Sequence, residues 1–314
     1  RLGLIRLIGL GGMGAVYEVL HTGTGHKRAL KLLRSEFGQN AAIMDRFAAE
    51  ARVAAKLGGL VVETVDSGVL EDGCPYVLME LLDGGPLDAR VERGPLPLEL
   101  CVDVLRQACV GFQAAHDAGI IHRDSKPDNL FLVGPREQPN LKILDFGISK
   151  FLDESTPGHT VDGAAMGTPH YMSPEQAWAD PVDHSSDIFS LGIVLHELLT
   201  GKMLYDEDNL PRLLDRVRKA DIEPPSRQRT DIPPELDAIV MKALAKYPNE
   251  RFGSAHDFGQ ALTRFLSQFR PSFTPARLSG MMGQLFPSEV ASSTGSVHLP
   301  SGEQVLSSIS ADPE

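Results

Sequence analysis

Cysteine is scarce in this sequence: Cys74, Cys101 and Cys109 are the only three in 314 residues, and none falls in a paired metal-ligand spacing. So few thiols exclude a disulfide-stapled secreted scaffold, and a reducing compartment, the cytoplasm, is the expectation. Positive charge is in deficit as well. Lys and Arg number 30 against 42 Asp and Glu, a formal charge of -12. That argues against bulk nucleic-acid binding, because phosphate contacts need clustered cations. Long hydrophobic runs are missing, since none reaches the ~18 residues of a membrane span. The longest candidate, Ile188 to Leu199, is interrupted by His196 and Glu197 and reads as a buried helix. Neither a Met nor a secretory signal opens the chain. The expectation is a piece of a longer gene product, in which a membrane anchor could lie elsewhere.

What is present is ordinary for a globular chain, with 42% hydrophobic and 23% charged residues and length enough for two lobes. Residues 1–82 read as a strand-rich first lobe. Leu2 to Ile8 and Ala15 to Leu20 flank a glycine turn, and Arg28 to Leu33, Val61 to Val69 and Pro75 to Met79 supply further strands. Between them, Ala41 to Leu57 carries Phe47, Ala51, Ala54 and Leu57 at helical spacing. Residues 83–270 read as mainly helical, with helices near 97–118, 185–200, 207–219, 233–245 and 254–268. Two short strands, Leu130 to Val133 and Leu141 to Leu144, fall between the first two of these. The tail, residues 271–314, holds ten serines and five prolines. Such a segment buries too little to offset an ordering cost of ~1–2 kcal/mol per residue, so a flexible linker is expected. Leu278, Met282 and Leu285 are the one stripe in it that suits a short docked helix.

Gly9, Gly11 and Gly14 form G-x-G-x-x-G. The spacing alone also suits dinucleotide folds and plain turns. Here, however, the glycines lie between two strands, whereas a dinucleotide fingerprint runs from strand into helix. Bare backbone N–H groups in a strand-turn-strand loop can cover phosphates. Lys31 follows in Ala29-Leu30-Lys31-Leu32-Leu33. It is either a solvated strand lysine or the partner of Glu50, a carboxylate on the apolar side of the 41–57 helix that needs a cation if buried. A Lys31–Glu50 pair would aim the ammonium at the α- and β-phosphates.

The most informative stretch is His122-Arg123-Asp124-Ser125-Lys126-Pro127-Asp128-Asn129, followed by the two short strands and then Asp145-Phe146-Gly147. Asn129 immediately precedes the first strand and Asp145 follows the second. Antiparallel pairing would bring amide and carboxylate together as a two-oxygen site for Mg²⁺, with Mn²⁺ as an alternative. Asp124 would accept the proton of an incoming hydroxyl, and Lys126 would steady the γ-phosphate.

With these residues in order, the chain resembles the catalytic domain of eukaryotic-type protein kinases, close to the bacterial serine/threonine branch, over about residues 2–268. The resemblance implies an α+β, two-lobed fold and transfer of the ATP γ-phosphoryl group to Ser/Thr hydroxyls of protein substrates, the chain itself included. It implies that Ile8, Gly9, Leu10, Gly11, Gly12 and Gly14 cover the nucleotide, and that Val16, Ala29 and Phe131 wall the adenine slot. Met79 matches the gatekeeper, and the backbone of Glu80 and Leu82 would bind adenine. Glu175 and Arg251 match a structural ion pair, and Asp187 an acid that braces the catalytic loop. Lys126 and Thr168 match the serine/threonine pattern rather than the tyrosine one.

The resemblance also raises regulation. Arg123 offers a fork for a phosphate on the segment 145–175, and Thr160 is the expected autophosphorylation site, with Ser149, Ser155 and Thr156 nearby. Relatives often pair two first lobes, so a homodimer for autophosphorylation is a further expectation. Two positions depart from the pattern. Ser125 stands where a leucine is usual, which suggests a cavity costing ~2–4 kcal/mol. Lys56-Leu57-Gly58-Gly59-Leu60 lacks the usual His-Pro. Two rival readings remain, a pseudokinase scaffold and a small-molecule phosphotransferase. The first is opposed by the complete set Lys31, Glu50, Asp124, Lys126, Asn129 and Asp145, the second by the segment from Thr168 to Glu175.

Overall fold

The computed structural model describes residues 1–11, 14–33, 58–71, 73–91, 96–133, 140–144 and 169–269, and these belong to one compact unit. The helix expected over 41–57, with Glu50, lies outside them, as do Gly12, Asp145, Thr160, Thr168 and the stripe at 278–285.

The alternating runs of the first 80 residues form a five-stranded antiparallel sheet. Its strands are β1 (Leu2–Gly11), β2 (Gly14–His21), β3 (Lys27–Leu33), β4 (Thr64–Val69) and β5 (Pro75–Glu80), in the order β1-β2-β3-β5-β4. Period-two alternation sorts the side chains. Val19, Leu30 and Leu78 cluster with Tyr17, Leu32 and Tyr76 on one face. Register places Lys31 opposite Val16 and Val77, and Ala29 opposite Met79. Those five therefore share the other face. Gly14 is fixed by packing, since a Cβ there would overlap the Leu32 carbonyl oxygen.

The strand expected over Val61–Val69 starts only at Thr64. Val61 instead bridges Ile143, and the Val62 N–H donates to the Ile143 carbonyl at 3.2 Å. Both valines are buried, so apolar burial against a second sheet outweighs extension of the first. That second sheet contains β6 (Gly84–Pro86), β7 (Leu130–Val133) and β8 (Asn140–Ile143), all antiparallel. β6 was not legible in the sequence, because three residues carry no period.

The remaining described helices are α1 (Asp88–Val91), α2 (Leu98–Asp117), α3 (Pro174–Trp178), α4 (His184–Thr200), α5 (Leu210–Lys219), α6 (Pro234–Ala243) and α7 (Ala255–Phe269). α4 is the apolar run recognised above. Its first turn is capped by Asp183, whose side chain accepts from the Ser185 N–H, and Gly201 at φ 69° ends it. Every residue from Ser185 to Thr200 is buried, so polar side chains there must find partners inside the protein. Cys101 and Cys109 are also buried in α2. Burial pushes both thiols up, Cys101 to about 12, so they are inert rather than nucleophilic. No described helix is long and apolar enough to cross a membrane.

Candidate active site

The chain leaves α2 through Ala118 and Gly119, whose φ of 77° turns it into the loop 120–126. A short turn, Pro127–Asn129, then feeds β7. The antiparallel pairing on which the metal reading depended is observed, with Leu130 opposite Ile143. The Leu144 N–H donates to the Asn129 carbonyl at 2.8 Å. Asn129 thus lies beside the residue that precedes Asp145.

Three predicted residues meet here. The Asn129 amide donates to the Asp124 carbonyl at 2.8 Å and to its carboxylate at 3.1 Å. Lys126 Nζ lies 3.7 Å from the same carboxylate. With its NH₂ group engaged, Asn129 keeps its amide oxygen for a ligand, and amide plus carboxylate oxygens suit a hard divalent cation. Among the described residues no group of three or more His, Cys, Asp or Glu could hold a metal alone. Among the described residues a cation at this point would rely on the Asn129 amide oxygen, with its other oxygens from outside them.

The loop is held from below by Asp187, near the start of α4 and fully buried. Its carboxylate accepts from the His122 and Arg123 N–H groups, each at 2.8 Å, from His116 Nε2 at 2.9 Å and from the Ser125 hydroxyl at 3.3 Å. Burial alone would raise its pKa. The His116 hydrogen bond and the bond from the His122 backbone N–H work against burial, and the carboxyl is held below the ordinary carboxylate value. At Ser125, where a cavity was the expectation, the small side chain lets its hydroxyl donate to Asp187. Arg123 sits at φ 64°, a conformation non-glycine residues keep only when their surroundings fix it. The clamp on its N–H, and Gln176 Nε2 on its carbonyl at 3.0 Å, do so.

His122 joins the two halves of the site. Its Nδ1 accepts from the Asp124 N–H at 3.3 Å, so Nε2 carries the proton and donates to the Leu144 carbonyl at 3.0 Å. The ring is fully buried and stacks on Phe112, with centroids 5.2 Å apart.

The segment entering α3 is fastened to α4. Ser173 and Gln176 form a reciprocal capping box. The Ser190 hydroxyl donates to the Tyr171 carbonyl at 2.7 Å, and the Tyr171 hydroxyl to Glu197 at 2.6 Å. Burial, and the nearby Asp128 and Asp88, hold the Glu197 carboxyl above its ordinary value despite the tyrosine bond. Glu175 and Arg251 meet as the sequence suggested, in a two-pronged pair at 2.7 and 2.8 Å with both side chains buried.

On the sheet side, Gly9, Leu10 and Gly11 pair with Val16, Ala15 and Gly14, so the glycine motif is the end of a hairpin. A Cβ at Gly9 would meet nothing within 4 Å, whereas Gly14 is filled by its own sheet. Leu10 and Ile8 are exposed. Val16, Ala29, Lys31 and Met79 share one sheet face, as above. β5 ends at Glu80, Leu82 follows in the connection to β6, and Phe131 lies opposite Pro86 and Lys142. The Glu80 carboxylate accepts from Lys142 Nζ at 2.5 Å and from the Glu63 N–H at 2.8 Å. That tie was missed, as were His116, Gln176 and the Tyr171–Glu197 bond. His116 carried a usable signal, since it falls four residues after Phe112 on the buried side of α2.

Comparison with known proteins supports the geometry. Residues 3–262 match the protein kinase domain family. The chain is 38% identical over 266 residues to the serine/threonine-protein kinase Pkn1 of Myxococcus xanthus, covering 84% of this chain and 38% of that protein. It is 36% identical to PknB of Mycolicibacterium smegmatis, covering 82% and 42%, and 37% identical to PknA of Mycobacterium tuberculosis, covering 85% and 62%. The chain therefore spans less than two thirds of the length of these relatives. The solved kinase domain of Mycobacterium tuberculosis PknI superposes with a TM-score of 0.65 at 25% identity, covering 84% of this chain and 95% of that one. A β-rich first lobe and a helical second lobe agree with this match: the chain belongs to the protein kinase domain family, in its bacterial serine/threonine branch.

Proposed function

We propose that this chain is a protein serine/threonine kinase domain that transfers the ATP γ-phosphoryl group to Ser/Thr hydroxyls of proteins, itself included, in bacterial signalling. The observation that carries the reading is the meeting of Asp124, Lys126 and Asn129 on a loop clamped by Asp187. Asp124 accepts the hydroxyl proton, and Lys126 neutralises charge gathering on the phosphoryl oxygens. Asn129 and Asp145 would hold Mg²⁺, which supplies positive charge against the phosphates when bound. Ile8 to Gly12 and Gly14 cover the phosphates. Lys31, oriented by Glu50, reaches the α- and β-phosphates. Val16, Ala29, Met79 and Phe131 wall the adenine, which takes its hydrogen bonds from the backbone of Glu80 and Leu82.

The lobes divide near residue 82, and 271–314 forms a tail. Arg123 receives the phosphate of an autophosphorylated Thr160, Thr168 belongs to the substrate-side loop, and two first lobes pair for that reaction. Family membership supports ATP, a divalent cation and protein substrates in general terms. The test is incubation of the purified chain with labelled ATP and Mg²⁺ beside Asp124→Asn. The chain should label itself or a basic test protein, and Asp124→Asn should fall by ~10²–10⁴-fold. Nucleotide binding without transfer would favour a pseudokinase.

A further inference from the structure

Asp187 carries more donors than holding a backbone requires. The N–H groups of Arg123 and His122 occupy one position on each carboxylate oxygen. A side chain occupies a second on each: Ser125 on Oδ1 and His116 on Oδ2. Neither side chain has a role in the chemistry proposed above. Their placement is costly in other terms. Ser125 is a hydroxyl with 1% exposure, and His116 keeps a buried Nδ1 with no hydrogen-bond partner. An apolar side chain at either position would leave the buried Asp187 carboxylate one donor short.

We propose that His116 and Ser125 are positioning residues for phosphoryl transfer, acting through Asp187 to hold Asp124; the inference rests on the kinase reading above. With one side-chain donor on each oxygen, the carboxylate plane cannot rotate about its Cβ–Cγ bond. Both oxygens then stay aimed at the N–H groups of His122 and Arg123. Arg123, at φ 64°, is the residue that would relax first if its N–H were released, and Asp124 is the next in the chain. The two donors also come from different places. His116 belongs to α2 and Ser125 to the loop, so the carboxylate of α4 joins three segments at one point. The contacts among these residues otherwise reinforce the same frame: the His116 ring lies 6.1 Å from Phe112, on which His122 stacks.

The test uses the full chain with Ser125→Ala and His116→Leu, which remove the donors, and Ser125→Thr and His116→Gln, which retain one. Displacements of ~1 Å at a reacting group cost up to about 100-fold, so each removal should lower kcat by about 5- to 50-fold. KM for ATP should stay within about twofold, because the nucleotide contacts lie elsewhere. Ser125→Thr and His116→Gln should recover most of the loss. The double removal should lose less than the product of the single losses, because both act on one carboxylate. An unchanged kcat per folded molecule, or equal losses in the donor-keeping variants, overturns the proposal. If the unaltered chain transfers no phosphate, the kinase reading fails, and the brace is judged by amide exchange at His122 and Arg123. Exchange about tenfold faster in Ser125→Ala and His116→Leu supports the brace, and unchanged exchange refutes it.

Discussion

Replacing Arg251 with Met isolates the contribution of a buried charge to this fold. Arg251 donates to both oxygens of Glu175, and to the carbonyls of Ala245, Ser185 and Lys246 at 2.9 to 3.0 Å. Its guanidinium lies 4.8 Å from the centre of the Phe189 ring. Met retains much of the volume, so the loss is electrostatic rather than a cavity. Glu175, 8% exposed, would keep only the Ser186 hydroxyl among its side-chain donors. Breaking a buried pair from one side costs about 3–5 kcal/mol. At about 2–4 °C per kcal/mol for a domain of this size, thermal unfolding should fall by roughly 6–20 °C.

The pH dependence gives a second reading of the same pair. Burial pushes the Glu175 carboxyl up, but the Arg251 bonds win and hold it below its ordinary 4.5. A carboxyl depressed on folding contributes stability that is complete above about pH 4.5 and is lost as pH falls through the folded value. In Arg251→Met the same carboxyl feels burial without its cation, so acid relieves it. The gap between unaltered chain and variant should therefore shrink as pH is lowered past about 4.5. Chemical denaturation at several pH values measures it. A loss below about 1 kcal/mol at neutral pH, or a gap that widens in acid, would refute the reasoning.

Two further perturbations follow. Burial lowers the His196 pKa below 6.5, with its Nε2 on the Glu223 carbonyl. An imidazole depressed on folding stabilises the neutral form, so stability is lost as pH falls from about 6.5. His196→Gln should lose less stability than the unaltered chain between pH 7.5 and 5.5, and equal acid sensitivity in a melting series would count against it. Lys142→Met removes the tie to Glu80 and a 3.4 Å contact with the Val61 carbonyl. Since both charged groups retain some exposure, the cost should be about 1 kcal/mol. KM for ATP should rise a few-fold if the backbone of Glu80 holds adenine, and an unchanged KM would separate the tie from the nucleotide.

The sequence made some features legible because they are local. The order Asn129, strand, strand, Asp145 already implied which ends meet, since two short runs joined by a brief connection can pair in one sensible way. The run through Ile188 to Leu199 was readable as an interior helix because its polar residues are too few to form a wet face. What escaped depends on separation in the chain. His116 and Asp187 are brought together by the packing of α2 on α4, which no period within either helix records. Ser125 looked like a deficit because only its volume could be judged, while the acceptor beneath it comes from residue 187. Val61 and Val62 fit a strand by type, and only the nearness of Ile143 decides that they leave it.

The burial of α4 on every side has a consequence for how this protein can change. A helix with a wet face can absorb substitutions there one at a time. From Ser185 to Thr200 no such face exists, so almost any replacement disturbs a neighbour in another segment. Asp187 touches the catalytic loop, Ser190 and Glu197 the stretch around Tyr171, and Ser186 the carboxylate that Arg251 holds. Surface elements such as α5, where only Leu213 and Val217 are buried, are free to be rewritten for new partners. The interior rod is inherited as a block, and a library that varies the outside while freezing it should yield mostly folded chains.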